Sequence, residues 1–267
     1  MNSKTLLPIF LSFYFSINIF SLDEQSDIAT ETIEQYQLGD KIINIVEYKK
    51  GKSDIVFFNM HDDENTGVEA GRQVIDEFGG RLIEIKSEGD RLLCFDIKGK
   101  RYIFDPNKIF TDKGIEATLK KYGDYNKLAH EEVTKLANVL IEKVLKDEPK
   151  MIVTLHNNDN GDFNIRNYRD RALFGRQALD YYYNDEIDRD DFYYVNSEVE
   201  FYYFTSRGYS AVLQDNDYMT SEGDDGSFSV YAALHYLPYI NVEVQDGHFD
   251  VQYEMIIKVL EYLEKVI

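Results

Sequence analysis

The sequence predicts an α/β protein with three layers (αβα), in which helices cover both faces of a mostly parallel mixed sheet. Short apolar runs alternate along the chain with segments of helical period, and the runs are typical of strands buried in a covered sheet. The chain has 267 residues, of which 43% are hydrophobic, enough for one large α/β domain. We find no internal repeat and no Pro-rich or Gly/Ser-rich linker, so we expect one domain over residues 22–267.

The period of the apolar residues assigns the elements in chain order. Apolar runs predict strands at 54–60, 81–85, 92–97, 102–104, 151–155, 210–213 and 239–244. Apolar residues at helical spacing predict helices at 67–78, 131–146 and 251–266. Residues 181–204 are rich in Tyr, Phe, Asp and Glu, and we expect them to form an ordered excursion outside the sheet.

The first 21 residues are typical of a secretory signal peptide. A polar start with one cation, Lys4, precedes an apolar stretch that ends near Phe20, and acidic residues follow from Asp23. Asn18 and nearby serines dilute the apolar run, which favours a cleaved signal over an uncleaved membrane anchor. We therefore expect an exported protein, periplasmic or secreted, with no stable membrane insertion after cleavage.

The composition excludes several classes of partner and of metal site. Lys and Arg number 29 and Asp and Glu number 49, a formal net charge of −20. This balance argues against nucleic-acid binding, which needs a basic surface, and against docking on anionic lipid. Cys94 is the single cysteine, which excludes an intrachain disulfide and any zinc site that needs two thiolates.

A histidine and a glutamate three positions apart follow the first predicted buried strand. His61 and Glu64 lie between strand 54–60 and helix 67–78. Open α/β sheets place their ligands at the carboxyl ends of their strands, so this pair can converge on one ligand there. The alternative is a solvated acidic turn whose Glu begins the helix.

His156 stands at the end of a second buried strand, 151–155, and opens a polar loop. If the two strands are parallel, His156 reaches the same rim as His61 and Glu64. Two histidines and one carboxylate leave one coordination position open, which is the arrangement of a catalytic zinc. A turn histidine without a ligand role is the alternative.

Two further motifs carry polar groups at strand ends. Glu243 lies in the apolar strand 239–244, where a carboxylate is costly unless it is paired or near a metal. Beside an activated water it could take a proton and pass it to a leaving nitrogen; the alternative is an edge-strand Glu facing solvent. Asn107 and Lys108 follow strand 102–104 and could hold a substrate carboxylate, or could form a simple turn.

In this order the motifs resemble those of the zinc metallocarboxypeptidase superfamily typified by carboxypeptidase A. The segment Asp105-Pro106-Asn107-Lys108-Ile109-Phe110 is similar to the family's Asp-x-Asn-Arg-x-Phe, with Lys108 where Arg is usual. Asp225-Gly226-Ser227 looks like the segment that precedes the family's catalytic Glu, here Glu243. Amidohydrolases of the aspartoacylase and succinylglutamate desuccinylase type share part of the pattern. The resemblance extends from His61 to the C-terminal helix.

The resemblance implies a carboxypeptidase-like fold and a zinc-dependent hydrolase that cleaves an amide bond of a peptide or cell-wall peptide. It implies that His61, Glu64 and His156 bind Zn²⁺. Glu243 would act as general base and then as general acid, and Asn107 and Lys108 would bind the terminal carboxylate of the substrate.

The resemblance also implies an arginine that polarises the scissile carbonyl and a tyrosine that closes over the substrate. Arg101 and Arg91 are both candidates for the first role, and Arg101 is favoured; Tyr218 is the candidate for the second. Lys108 offers a point charge where Arg would grip a carboxylate with two parallel bonds, so we expect weaker affinity for a free carboxylate, or none.

Two other functions stay open at the level of sequence. The first is an N-acyl amino acid deacylase of the aspartoacylase type, which would use the same site. The second is an exported, non-catalytic binding protein on the same scaffold, which Lys108 and the Tyr-rich segment 181–204 favour. The expected partner is thus a peptide or an N-acyl amino acid.

Overall fold

The computed structural model describes residues 28–52, 54–161 and 163–266. The strands are β1 (Thr30–Leu38), β2 (Lys41–Lys50), β3 (Ile55–Asn59), β4 (Gly80–Lys86), β5 (Leu93–Ile97), β6 (Lys100–Phe104), β7 (Met151–Asn158), β8 (Ala178–Tyr182), β9 (Phe192–Val195), β10 (Ala211–Gln214) and β11 (Tyr239–Gln245). The helices are α1 (Asn65–Phe78), α2 (Asp112–Tyr122), α3 (Lys127–Leu145), α4 (Glu198–Thr205), α5 (Asn216–Met219), α6 (Phe228–Leu234) and α7 (Phe249–Val266). The predicted signal, 1–21, lies outside the described residues and stays a prediction.

Nine strands form one mixed sheet in the order β1-β2-β4-β3-β7-β11-β9-β10-β8, and β5 and β6 form a separate hairpin. The four central strands β4, β3, β7 and β11 are parallel to one another. Antiparallel pairs flank them on both sides. Because parallel strands share a direction, β3, β7 and β11 end at the same rim of the sheet.

Helices cover both faces of the sheet, and each face has its own core. In β3, Ile55 and Phe57 belong to the core beneath α1, α4 and α7. Val56 and Phe58 belong to the core beneath α2, α3 and α6, to which the β5–β6 hairpin adds its side chains. This alternation is the period of an extended strand buried on both sides. The predicted three-layer α/β class is confirmed.

The segment 181–204 is not an excursion outside the sheet, so that prediction is wrong. It contains β9, which pairs with β11 on one side and β10 on the other. All four residues of β9 are buried, so the strand shows no polar–apolar alternation. The strand is also only four residues long and lies next to acidic residues, so the sequence pattern does not predict it.

The structure also extends several predicted elements. The predicted strand 151–155 continues to Asn158, so His156 lies inside β7 rather than in a loop. The predicted helix 131–146 begins earlier, at Lys127, where Asn126 accepts a hydrogen bond from the backbone N–H of Leu128. Within the described ranges, none of the helices has the length and the apolar character needed to cross a membrane.

Candidate metal centre and its cavity

His61, Glu64 and His156 come together at the rim where the central strands end. One donor atom from each side chain lies within 4.8 Å of the other two, and all three residues are buried. Nδ1 of His61 lies 2.9 Å from Oε1 of Glu64. Nδ1 of His156 lies 2.9 Å from Oε2 of the same carboxylate. Both imidazoles therefore present the same ring nitrogen to one carboxylate.

The local fold accounts for this convergence. β3 ends at Asn59, so His61 stands just beyond the strand end, and Glu64 occupies the position before α1 begins. A carboxylate at a helix N-terminus interacts favourably with the helix dipole. β7 is the parallel neighbour of β3, and His156 extends from it at the same rim.

The electrostatics of the three side chains favour a positive charge among them. Burial alone would lower the pKa of His61, but the Glu64 carboxylate and a hydrogen bond with Asp105 outweigh it and raise the pKa to about 9. Burial alone would raise the pKa of Glu64, yet the two histidines hold it well below its ordinary value. Two carboxylates thus stabilise positive charge at this point, whether a proton or a cation carries it.

The donor set fits a zinc ion. Two imidazole nitrogens and one carboxylate oxygen are ligands that zinc prefers, and three protein ligands are the number found in catalytic sites. Bonds of about 2.0–2.2 Å put tetrahedral donors roughly 3.3–3.6 Å apart. The separations of up to 4.8 Å in the structure need only a small side-chain adjustment to reach that spacing.

Asp105 supports His61 from the side opposite Glu64. Its Oδ1 lies 2.9 Å from Nε2 of His61 and also accepts a hydrogen bond from the backbone N–H of Asn107. A metal-binding histidine commonly donates its second ring N–H to a carboxylate, which fixes the ring orientation. The sequence placed Asp105 in a motif but gave it no role; its position two residues before Asn107 was the available signal.

Glu243 lies on the strand next to His156 and faces the same cavity as the three candidate ligands. β11 and β7 are parallel neighbours, and their register pairs Glu243 with His156. The Glu243 side chain is buried, lines the cavity, and accepts a 2.9 Å hydrogen bond from Nδ2 of Asn241. Asn241 lies two residues earlier on the same face of β11, as the period of an extended strand requires.

A cavity of about 520 Å³ opens over these residues. Its wall includes Asn107, Lys108 and Arg91. Nδ2 of Asn107 lies 3.4 Å from Nε2 of His156, and Nη1 of Arg91 lies 2.5 Å from Oε1 of Glu64. The structure thus brings together the predicted ligands, the predicted base and the Asn-Lys pair.

Two predicted site residues are not brought to this cavity. Arg101 lies on the outer part of the β5–β6 hairpin, where its side chain is 63% exposed and pairs with Asp96 at 3.3 Å. Arg91, the second candidate, lines the cavity in its place. The Tyr218 ring lies under the Arg176 guanidinium, 4.3 Å from the ring centroid, and is not part of the cavity wall.

Aromatic side chains make up part of the cavity wall, and the sequence did not single them out. Phe163, Tyr168, Phe174, Tyr194 and Tyr239 all line it. Tyr168 and Phe174 belong to the long segment between β7 and β8, where the sequence shows no helical or strand period. Tyr194 belongs to β9, a strand that the sequence analysis did not predict. Its position beside Asn241 could therefore not be predicted either.

Comparisons with solved structures find distant similarity. An aspartoacylase family protein of Mesorhizobium loti is 12% identical, with 92% of this chain and 69% of that chain covered and a TM-score of 0.43. The murein-tripeptide amidase MpaA of Escherichia coli O157 is 14% identical, with 86% and 90% covered and a TM-score of 0.42. LapA of Legionella pneumophila is 8% identical, with 87% and 60% covered and a TM-score of 0.36.

No family model and no curated protein matches the sequence. Because the identities to the three solved structures are all below 15%, the activity has to be argued from the residues of the site.

Proposed function

We propose that the protein is a zinc-dependent hydrolase that cleaves an amide bond of a peptide or a cell-wall peptide. The observation that carries this proposal is the buried convergence of His61, Glu64 and His156, with Glu243 paired with His156 on the next strand. The three convergent side chains would hold the ion. Bound zinc would supply a Lewis acid that polarises the scissile carbonyl and activates a water.

Glu243 is suited to move the proton that amide hydrolysis requires. The water oxygen bonds to the carbonyl carbon while the carboxylate takes the water proton. The same carboxyl group then gives the proton to the leaving nitrogen as the C–N bond breaks, and the second water proton stays on the new carboxyl group, so the products are a carboxylic acid and an amine. The hydrogen bond from Asn241 to Oε1 holds the carboxylate in place during both transfers.

Arg91 is the cation that we assign to the developing negative charge on the carbonyl oxygen. Its guanidinium reaches the metal-ligand candidate Glu64 from the cavity wall, and its side chain is 47% exposed. A preorganised donor aimed at a developing oxyanion lowers the barrier of acyl-transfer reactions. Arg101 has no access to the cavity and is not part of this proposal.

The metal content of the purified protein tests the first half of the proposal. We expect about one zinc per wild-type chain and a loss of most of it in His61→Ala, because removal of one of three ligands weakens the site. His235→Ala is the matched control, since that histidine is exposed and lies outside the cavity wall. Equal zinc in wild type and His61→Ala would refute the proposal.

Glu243→Gln tests the second half. The variant should keep its zinc but lose about 10²–10⁴-fold in kcat against peptide amides, the range for loss of a general acid–base. A parallel panel of N-acyl amino acids separates a peptidase from a deacylase. If the substitution changes no activity in either panel while ligand binding survives, the non-catalytic binding protein is the better description.

We also propose export of the protein, on the strength of the sequence of residues 1–21. Mass spectrometry of the protein from its native cells should find a chain that begins at or near Leu22. Recovery of the intact N-terminus would contradict cleavage of the predicted signal.

A further inference from the structure

The Lys108 side chain is already paired with a carboxylate inside the cavity wall. Its Nζ lies 2.5 Å from Oδ2 of Asp225, and both side chains are about one-third exposed. Burial alone would raise the pKa of Asp225, but Lys108 and the hydrogen bonds from Ser227 hold it below its ordinary value. A substrate carboxylate that used Lys108 would have to compete with this built-in partner.

The loop that carries Asp225 is fastened to the segment that carries Lys108. Asp224 Oδ1 accepts a hydrogen bond from the hydroxyl of Thr111, and the backbone N–H of Phe110 donates to the carbonyl of Gly226. A Cβ at Gly226 would lie 2.4 Å from Cα of Gly114. Such close backbone approach is possible only without side chains, so the loop and the segment hold the ion pair in a fixed place.

The remaining charges of the cavity also disfavour an anionic ligand. The described residues that line it include seven carboxylates against three Lys or Arg side chains, so the wall stays net negative when the two positive charges of a zinc ion are added. Lys108 is engaged by Asp225, and Arg91, which contacts Glu64, is already assigned to the carbonyl oxygen rather than to a second anionic group. The third cation, Lys121, is exposed, and its Nζ lies 4.7 Å from the centroid of the Tyr122 ring.

We propose that the site takes amide substrates that carry no carboxylate next to the scissile bond, and that the Lys108–Asp225 pair is the device that excludes the others. This inference rests on the proposed amide hydrolysis and names its substrate class. Lys108 serves as the counter-ion of Asp225 rather than as an anchor for a chain terminus. Internal or amidated peptide bonds therefore fit the cavity, whereas free C-terminal acids and N-acyl amino acids do not.

Binding of a matched pair of probes tests this assignment without turnover. In zinc-loaded Glu243→Gln protein, calorimetry would compare N-acetyl-alanyl-alanine with its C-terminal amide. We expect the amide to bind at least about tenfold tighter than the acid. Adding Asp225→Asn should release Lys108 and shift the acid-to-amide affinity ratio by at least about tenfold toward the acid, the worth of one charge-assisted hydrogen bond.

The neutral double replacement Lys108→Gln/Asp225→Asn in the same background guards against a folding defect of the single variant. If Lys108 and Asp225 only neutralise each other, the acid-to-amide affinity ratio of this variant stays within about threefold of its value before the two replacements. If Lys108 anchors carboxylates, the variant binds the acid at least about tenfold more weakly. A starting preference for the acid, no shift with Asp225→Asn in a folded protein, or no binding of either probe would overturn the inference. Wild-type turnover of peptide amides is measured separately, so a failure of the proposed hydrolysis is seen as such.

Discussion

Asp105→Asn should weaken zinc binding although Asp105 is not one of the three convergent ligands. Its Oδ1 lies 2.9 Å from Nε2 of His61, and its backbone N–H donates to Oγ1 of Thr118 at 2.8 Å. The hydroxyl and the turn that follows fix the carboxylate, and the carboxylate fixes the imidazole. Asparagine keeps the shape of the side chain but removes the negative charge that makes the imidazole a stronger ligand.

The expected loss is about 10–100-fold in zinc affinity, the range measured when the hydrogen-bond partner of a metal-binding histidine is replaced. That range equals about 1.4–2.8 kcal/mol of binding free energy. Loss of a ligand such as His61 should cost more, because it removes a metal bond rather than its support.

Competition with a chromophoric zinc chelator at constant pH measures the affinity. Asp159→Asn is the matched control, since it removes the same charge from an exposed position in the cavity wall. We expect it to change the affinity by less than about threefold. The reasoning fails if Asp105→Asn binds zinc within about twofold of the wild type, or if the control loses as much, since the effect would then be one of net charge.

Two glycines of opposite surroundings should differ in their tolerance of a methyl group. Gly226→Ala combines a positive φ of 77° with a Cβ that would lie 2.4 Å from Cα of Gly114, so it should lower the free energy of unfolding, measured in urea, by about 2–5 kcal/mol. Gly247→Ala, at a φ of 83° with open space around it, should lower that free energy by about 1–2 kcal/mol. Equal losses in the two variants would contradict the close-approach argument. The hydroxyl of Tyr48 donates to Asp76, which raises the pKa of Tyr48 to about 12. Its contribution to stability is therefore complete below pH 10 and is lost as the pH rises from about 10 to 12, so Tyr48→Phe should show a shallower decline of the urea midpoint over that interval; an unchanged decline would contradict the assignment.

The parallel centre of the sheet and the residues at its rim follow from local patterns. Strands β3, β7 and β11 are apolar runs bounded by polar residues, and each carries or precedes a His or Glu where the run ends. Since parallel strands end at the same rim, the convergence of His61, His156 and Glu243 needs only their relative direction. That is why the core of the site could be predicted from one sequence.

The remainder of the site depends on contacts that no local period encodes. Arg91 lies two residues before β5 and Arg101 lies within β6, and the strand pattern does not reveal which of the two side chains turns toward Glu64. The buried β9 has no alternation to mark it. Asp225, the partner of Lys108, lies on a distant loop that is held against the Lys108 segment by long-range contacts such as the close approach of Gly226 to Gly114.

One short turn, residues 105–108, contacts both the histidines of the candidate metal centre and the Lys108–Asp225 pair that we propose excludes carboxylates. Along four consecutive residues, Asp105 contacts His61, Asn107 lies against His156 and accepts the backbone N–H of Phe228, and Lys108 pairs with Asp225. The first two contacts face the histidines, whereas the third faces the space that a substrate would enter. A change at position 108 can therefore alter the charge of the cavity while both contacts to the histidines stay in place. The same scaffold could in this way change the charge that it accepts beside the scissile bond without rebuilding the metal centre.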